Sequence, residues 1–295
     1  MAPRSTRLTR VVVAVLVAIV TIAVRGEAPR AADAPKRIVS LVPALTEMLF
    51  AIGAGPQVIG VSSFDDYPPE VKSLPRVGAL VDPDMERILS LRPDLVIVYG
   101  SQTTVETQLT RAGIRSYSYR HAGLAGVFAT IRDLGRVVAR TTESEQLAQT
   151  LQRRLDAVKT RVAKLPRVRT LLVFERDLGS LRGLYASGGI GFMHDILAIA
   201  GGTNVFADVS RESVQPSIET VLARAPDVIL EVRPTGLPRE SIPSEQRVWD
   251  SVASIPAVRK GQVHIVIDDY LVTPGPRVAQ AAEAIARIIH PEAFK

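Results

Sequence analysis

Cysteine is absent from the 295 residues. That excludes disulfides, thiolate metal ligands, a cysteine nucleophile and lipid attachment through an N-terminal cysteine. Aromatic residues make up only 5% of the chain, with a single tryptophan, so where they fall is informative. Long apolar runs are scarce. Val11–Val24 has fourteen residues with only Thr21 polar, and no later run approaches the length of a membrane span. Catalytic signatures are missing too. The chain has no G-x-S-x-G, no H-E-x-x-H and no G-x-x-x-x-G-K-[ST]. Gly188-Gly189-Ile190-Gly191 lacks the strand-turn-helix phosphate pattern and reads as the turn before a helix.

Excess charge of one sign is modest. The net +6 comes from 36 basic and 30 acidic residues. Residues 1–34 hold five arginines against Glu27 and Asp33, and so carry half of that excess. The remainder gives no footprint for nucleic acid. A basic segment before a short apolar run reads as an export signal. As a helix, Val11–Val24 spans about 21 Å, short of a bilayer core of about 30 Å. Residues 1–34 are therefore expected to be a leader, and the chain to meet a membrane only through a partner or an uncleaved leader.

The hydrophobic content of 46% is that of a globular protein. Short apolar strands alternate with helical segments: Arg37–Val42, Val58–Val61, Leu95–Tyr99 and Ser116–Tyr119 as strands, then Thr170–Glu175, Val228–Val232 and Val263–Ile267. Near-continuous apolarity points to parallel sheets covered on both faces. Thr142–Leu165 differs. It has no Gly or Pro, and Leu147, Leu151, Leu155, Val158 and Val162 recur at helical spacing. Residues 85–98, MERILSLRPDLVIV, resemble residues 218–231, IETVLARAPDVILE, at a constant offset. The spacing predicts an α/β protein of two similar Rossmann-like lobes, 36–141 and 167–295, joined by one long bridging helix over 142–165. A ligand cleft is expected between the lobes.

Phe64, Tyr99, Tyr185 and Tyr270 fall at or just beyond predicted strand ends. Ligands of parallel α/β sheets bind at those ends, and aromatic faces there suit a large planar ligand. Asp65, Asp66 and Asp269 flank two of these aromatics and can accept hydrogen bonds from ligand amides or hydroxyls. Glu86 and Glu219 occupy matching first turns in the two halves, where the helix dipole favours an acid. One carboxylate per lobe also suits a two-fold symmetric partner presenting arginines. The four histidines are widely separated. His121 lies at a strand end and His194 opens a helix, so either can reach a metallated ligand. His264 reads as a core or edge residue, and His290, near the C-terminus, as solvated.

Several motifs together resemble the periplasmic vitamin-B12 and iron-chelate binding proteins of ABC importers: RIVSLVPALTEMLFAIG (37–53), IGVSSFDDYPP (59–69), MERILSLRPDLVIVYG (85–100), YASGGIGFMHDILAIAGGTNVF (185–206), IETVLARAPDVIL (218–230) and PGPRVAQAAEAIA (274–286). The resemblance covers about residues 36–290. It implies a non-enzymatic, monomeric carrier, and the absence of cysteine fits one free in the periplasm rather than lipid-anchored. Such a carrier has no cofactor of its own. It delivers a cobalamin-like corrinoid to an ABC permease dimer with its ATPase subunits. The resemblance places ligand contacts at Phe64, Asp65, Tyr99, Tyr185, Asp269 and Tyr270, and permease contacts at Glu86 and Glu219. The chain departs from the cobalamin-binding branch at Leu80 and Ser213, where tryptophan can stand. Trp249 lies outside the shared motifs. Haem or a ferric siderophore is the alternative cargo, with His121 or Tyr99 as axial ligand to haem iron. An exported α/β hydrolase and a metal-ion binding protein are the remaining readings. The first requires a nucleophile–base pair, the second a His-rich cleft.

Overall fold

The computed structural model describes residues 34–233 and 237–295. The expected leader lies outside these residues apart from Ala34. Among the described residues no helix is long and apolar enough to cross a membrane.

The first sheet contains β1 (Ile38–Ser40), β2 (Val58–Val61), β3 (Leu95–Tyr99) and β4 (Arg115–Tyr119) in the order β2-β1-β3-β4, all parallel. Its helices are α1 (Pro43–Ala51), α2 (Met85–Ser90), α3 (Thr103–Arg111) and α4 (Gly123–Val137). Pro43 opens α1, where its missing N–H breaks no helical bond. Asp84 caps α2, its Oδ1 accepting from the Arg87 N–H at 2.9 Å.

The long helix, α5, runs Thr141–Val162. It stops before the expected end because the chain must leave helical geometry ahead of Pro166. Its buried stripe is Ala148, Leu151, Leu155, Val158 and Val162, the three- and four-residue spacing of one helix face.

The second sheet holds β5 (Val168–Glu175), β6 (Tyr185–Ser187), β7 (Gly202–Asn204), β8 (Ser213–Val214), β9 (Val228–Arg233) and β10 (Val263–Ile267). Its order is β10-β9-β5-β6-β8, with β7 also on β5. The strands β7, β9 and β10 extend the parallel pattern. The short β6 and β8 add an antiparallel pair at one edge. The helices are α6 (Phe192–Ile199), α7 (Ile218–Arg224), α8 (Ile242–Arg247), α9 (Pro256–Arg259) and α10 (Val278–Ile289).

The internal repeat extends to backbone detail. Arg92 and Ala225 occupy matching positions, and both adopt positive φ, 48° and 45°. Just beyond them, the Asp94 N–H donates to the Arg37 carbonyl at 2.9 Å, and the Asp227 N–H to the Arg169 carbonyl at 2.8 Å. The guanidinium of Arg37 in turn reaches the Leu91 carbonyl, and that of Arg169 the Arg224 carbonyl. Two lobes thus repeat one helix–turn–strand unit, left-handed residue included.

Packing joins the lobes into one body. A continuous apolar core runs from Ile38 and Leu45 through Leu134, Leu151 and Leu155 to Ile196 and Ile285. Smaller cores lie on the outer sheet faces, around Val96 and Ile88 in one lobe and Ile229 and Trp249 in the other. His264 is half-buried on the edge strand β10. His290 corrects the expectation of a solvated residue. It is 2% exposed and packs on Gly201, where a Cβ would come within 2.6 Å of the ring nitrogen Nε2.

Candidate functional site

The segment after β4 of the first sheet meets the ends of β5 and β10 of the second around an inter-lobe recess of about 270 Å³. Its walls are Phe174, Ile190, Gly191, Phe192, Met193 and Val272, with His121, Glu212 and Ser213 as polar contributors. His121 comes from the first lobe, directly after β4. The others belong to the second.

The His121 ring is held from three sides. Its Nδ1 lies 3.2 Å from the Tyr119 hydroxyl. Its face meets the Phe192 ring edge-on at 5.4 Å. Its Nε2 lies 3.8 Å from Glu212 Oε1. Glu212 is placed by the glycine turn. The Gly188 N–H donates to the Glu212 carbonyl and the Gly189 N–H to the Val209 carbonyl. A Cβ at either glycine would collide with the 207–211 backbone. The glycines therefore serve a close backbone approach rather than a phosphate.

None of the six residues expected from the sequence lines the recess. Tyr185 packs on Phe174 with ring centroids 6.3 Å apart. Tyr99 meets Tyr119 edge-on at 6.1 Å. Burial raises the Tyr99 phenol above its ordinary value, and the Asp65 carboxyl adds to the shift. Burial pushes Tyr119 up to about 12, so it is a neutral phenol beside His121. Tyr270 and Asp269 lie just before Val272 on the loop leaving β10. Phe64 is 70% exposed at the tip of the loop leaving β2. Exposed apolar side chains include Phe64, Tyr67, Leu80 and Val81 between β2 and α2, Leu89 on α2, Leu178 after β5, Ile190 before α6 and Val272 after β10.

Asp65 departs from the expectation of a cleft-facing acceptor. It is fully buried. Its Oδ2 accepts the Ser62 N–H at 2.8 Å, and Arg76 donates to the Ser62 and Asp65 carbonyls. It braces the turn that carries Phe64. Asp269 is engaged as well, because Arg277 donates to both of its oxygens at 3.0 and 2.9 Å. The same guanidinium binds Glu47 of α1 and lies over the Tyr67 and Tyr270 rings at 4.2 and 5.7 Å.

Two ties therefore cross between the lobes. Glu47–Arg277 sits beside Tyr67, past the edge strand β2. The Leu124 N–H to Asp195 Oδ2 bond at 2.9 Å and the His121–Glu212 contact follow the opposite edge strand, β4. The recess lies against the second tie.

Glu86 and Glu219 are both exposed, each the second residue of its helix. Hydrogen bonding at the helix start, from its own N–H and from Ser217, lowers the Glu219 carboxyl. Among the described residues no three His, Asp or Glu side chains converge as a metal-ion site requires. His194 does not line the recess. Glu212, Phe174 and Phe192 were not singled out from the sequence. The signal that could have found Glu212 is the glycine pair that fixes it.

Two lobes sharing one core, with an aromatic recess between their strand ends, define a two-lobed ligand-binding protein. The sequence profile of the family described as "Periplasmic binding protein" matches residues 38–270, and the chain belongs to that family. It is 31% identical over 258 residues to the vitamin B12-binding protein of Salmonella typhimurium, covering 87% of this chain and 91% of that one. It is 30% identical to an ABC transporter substrate-binding lipoprotein of Bacillus subtilis, covering 88% and 82%. Among solved structures, the periplasmic vitamin B12 binding protein of Vibrio cholerae superposes with a TM-score of 0.73 at 27% identity, covering 88% and 98%. The periplasmic heme-binding protein of Roseiflexus sp. RS-1 gives 0.73 at 28%, covering 88% and 99%.

Proposed function

We propose that this chain captures a corrinoid of the cobalamin type in the inter-lobe recess and delivers it to an ABC permease. The observation that carries the reading is the recess itself. It is walled by Phe174 and Phe192, and Tyr185 packs behind Phe174. Aromatic faces stack on a planar macrocycle, and a few polar atoms fix its orientation. The 31% identity to a vitamin B12-binding protein supports the choice of ligand.

In this reading residues 1–34 are an export signal, the carrier works as a free periplasmic monomer, and no chemical step is catalysed. Glu86 and Glu219 dock arginines of the permease dimer, whose ATPase subunits drive release. The shared core and the two ties limit lobe motion, so a corrinoid, several times larger than the 270 Å³ recess, extends from it over the strand-end loops. Calorimetric titration with cyanocobalamin tests the reading: micromolar or tighter 1:1 binding supports it, and no heat contradicts it.

A second reading, haem as cargo, is favoured by one local feature. The Tyr119 hydroxyl holds His121 Nδ1 in a residue that lines the recess, with Nε2 3.8 Å from Glu212, and a second partner on one ring nitrogen is what orients a metal-ligating imidazole. Tyr99 suits that role less, because burial holds it as a phenol. Titration with haemin, followed in the Soret band, tests this reading.

A further inference from the structure

We propose that Glu212 is a specificity-determining residue that admits metal–tetrapyrroles bearing amides at their periphery and excludes those bearing carboxylates. The inference rests on the reading of the recess as a tetrapyrrole site.

Among the described residues no lysine or arginine lines the recess. Its polar lining is His121, Glu212 and Ser213. The His121–Glu212 pair, at 3.8 Å, carries no net positive charge in either protonation state of the imidazole. An incoming carboxylate therefore finds no counter-ion and meets Glu212, 56% exposed at the mouth. Like charges at this half-exposed position repel, most at low salt. An amide has the opposite experience, since its N–H can donate to Glu212.

Three arginines near the strand ends do not relieve this, because acids within the protein already neutralise them. Arg176, after β5, pairs with Glu231 and Glu245. Arg233, at the end of β9, pairs with Glu231. Arg277 is held between Glu47 and Asp269. All three are largely or wholly buried. Asp268 and the exposed Asp66 add further negative charge to the strand-end loops. An anionic chelate thus meets Glu212 and, among the described residues, no cation in the recess lining, the exposed Arg120 and Arg211 standing outside that lining.

The test compares two ligands with one corrin core, cyanocobalamin and the heptacarboxylate dicyanocobyrinic acid, with haemin as a third probe. Wild-type protein is expected to bind cyanocobalamin at least about tenfold more tightly than the heptacarboxylate or haemin at low salt. Added salt narrows the ratio. Glu212→Gln narrows it by about tenfold, chiefly by tighter binding of the acids, and Glu212→Lys reverses it. The side chain is exposed, so both variants should fold, which circular dichroism checks. A ratio unmoved by salt and by both substitutions overturns the inference and leaves the tetrapyrrole reading standing, as does tighter wild-type binding of haemin or the heptacarboxylate. Binding of none of the three overturns both.

Discussion

Arg277 and Glu47 stand 230 positions apart and form a two-bonded ion pair, Nε to Oε2 at 2.8 Å and Nη2 to Oε1. Glu47 belongs to the first lobe and Arg277 to the second. Arg277 also grips Asp269 with a second fork, so one side chain joins α1 to the loop that carries Tyr270. Bidentate geometry of this kind is specific to arginine.

Breaking the pair on one side leaves a carboxylate buried without its partner. Burial already raises the Glu47 carboxyl above its ordinary value, with Arg277 opposing that shift. Arg277→Met should cost about 3–5 kcal/mol of stability. The Glu47→Gln/Arg277→Met double variant should lose less than the sum of the single changes. Urea unfolding reads both quantities, and strict additivity would count against the coupling.

Asp65 gives a pH-dependent prediction. Its carboxyl is raised above 3.8, first by desolvation, against hydrogen bonds from Ser62 and Thr46. A raised acid supports the folded state while it is protonated. That support is complete below the unfolded-state value of 3.8 and is lost as pH rises through the folded-state value. Asparagine imitates the protonated form. Asp65→Asn should therefore gain stability relative to wild type as pH rises from below 3.8 to neutral. Unfolding midpoints across that range measure the difference, and a constant offset would contradict the sign.

Much of this architecture is legible in the sequence, and what is not has physical causes. The long helix follows from the uninterrupted Leu147–Val162 stripe, and the lobe repeat from the constant offset between Glu86 and Glu219. The antiparallel pair β6–β8 escapes notice because Tyr185–Ser187 and Ser213–Val214 are too short to show a two-residue period. His290 looks solvated by position, yet it is buried against a glycine 89 residues away. The candidate site divides the same way. The aromatics expected beyond strand ends point to its end of the sheets, and none of them lines the recess. The recess walls, Glu212 and the Arg277 clamp depend on long-range packing that no local pattern encodes.

Phe64 and Tyr270 separate binding from folding. Phe64 is 70% exposed, so Phe64→Ala should change stability by no more than about 0.5 kcal/mol. If it stacks on the ligand, its loss should weaken cyanocobalamin binding about tenfold, and Tyr270→Ala similarly. Calorimetry on both variants checks this, and unchanged affinity in both would remove these aromatics from the site.

The paired glutamates should act on delivery alone. Glu86→Ala with Glu219→Ala should leave ligand affinity unchanged, because both residues lie on exposed helix starts away from the recess. Uptake in a strain dependent on this carrier should fall sharply. Normal uptake by the double variant would refute the docking role.

The central claim is that the recess selects a corrinoid. Its most direct test is a competition: purified protein mixed with equimolar cyanocobalamin and haemin, passed through a desalting column, and the co-eluting chromophore read by absorbance. The visible corrin bands in a 1:1 ratio to protein are the predicted result. A Soret band in their place, or protein eluting colourless, would contradict it.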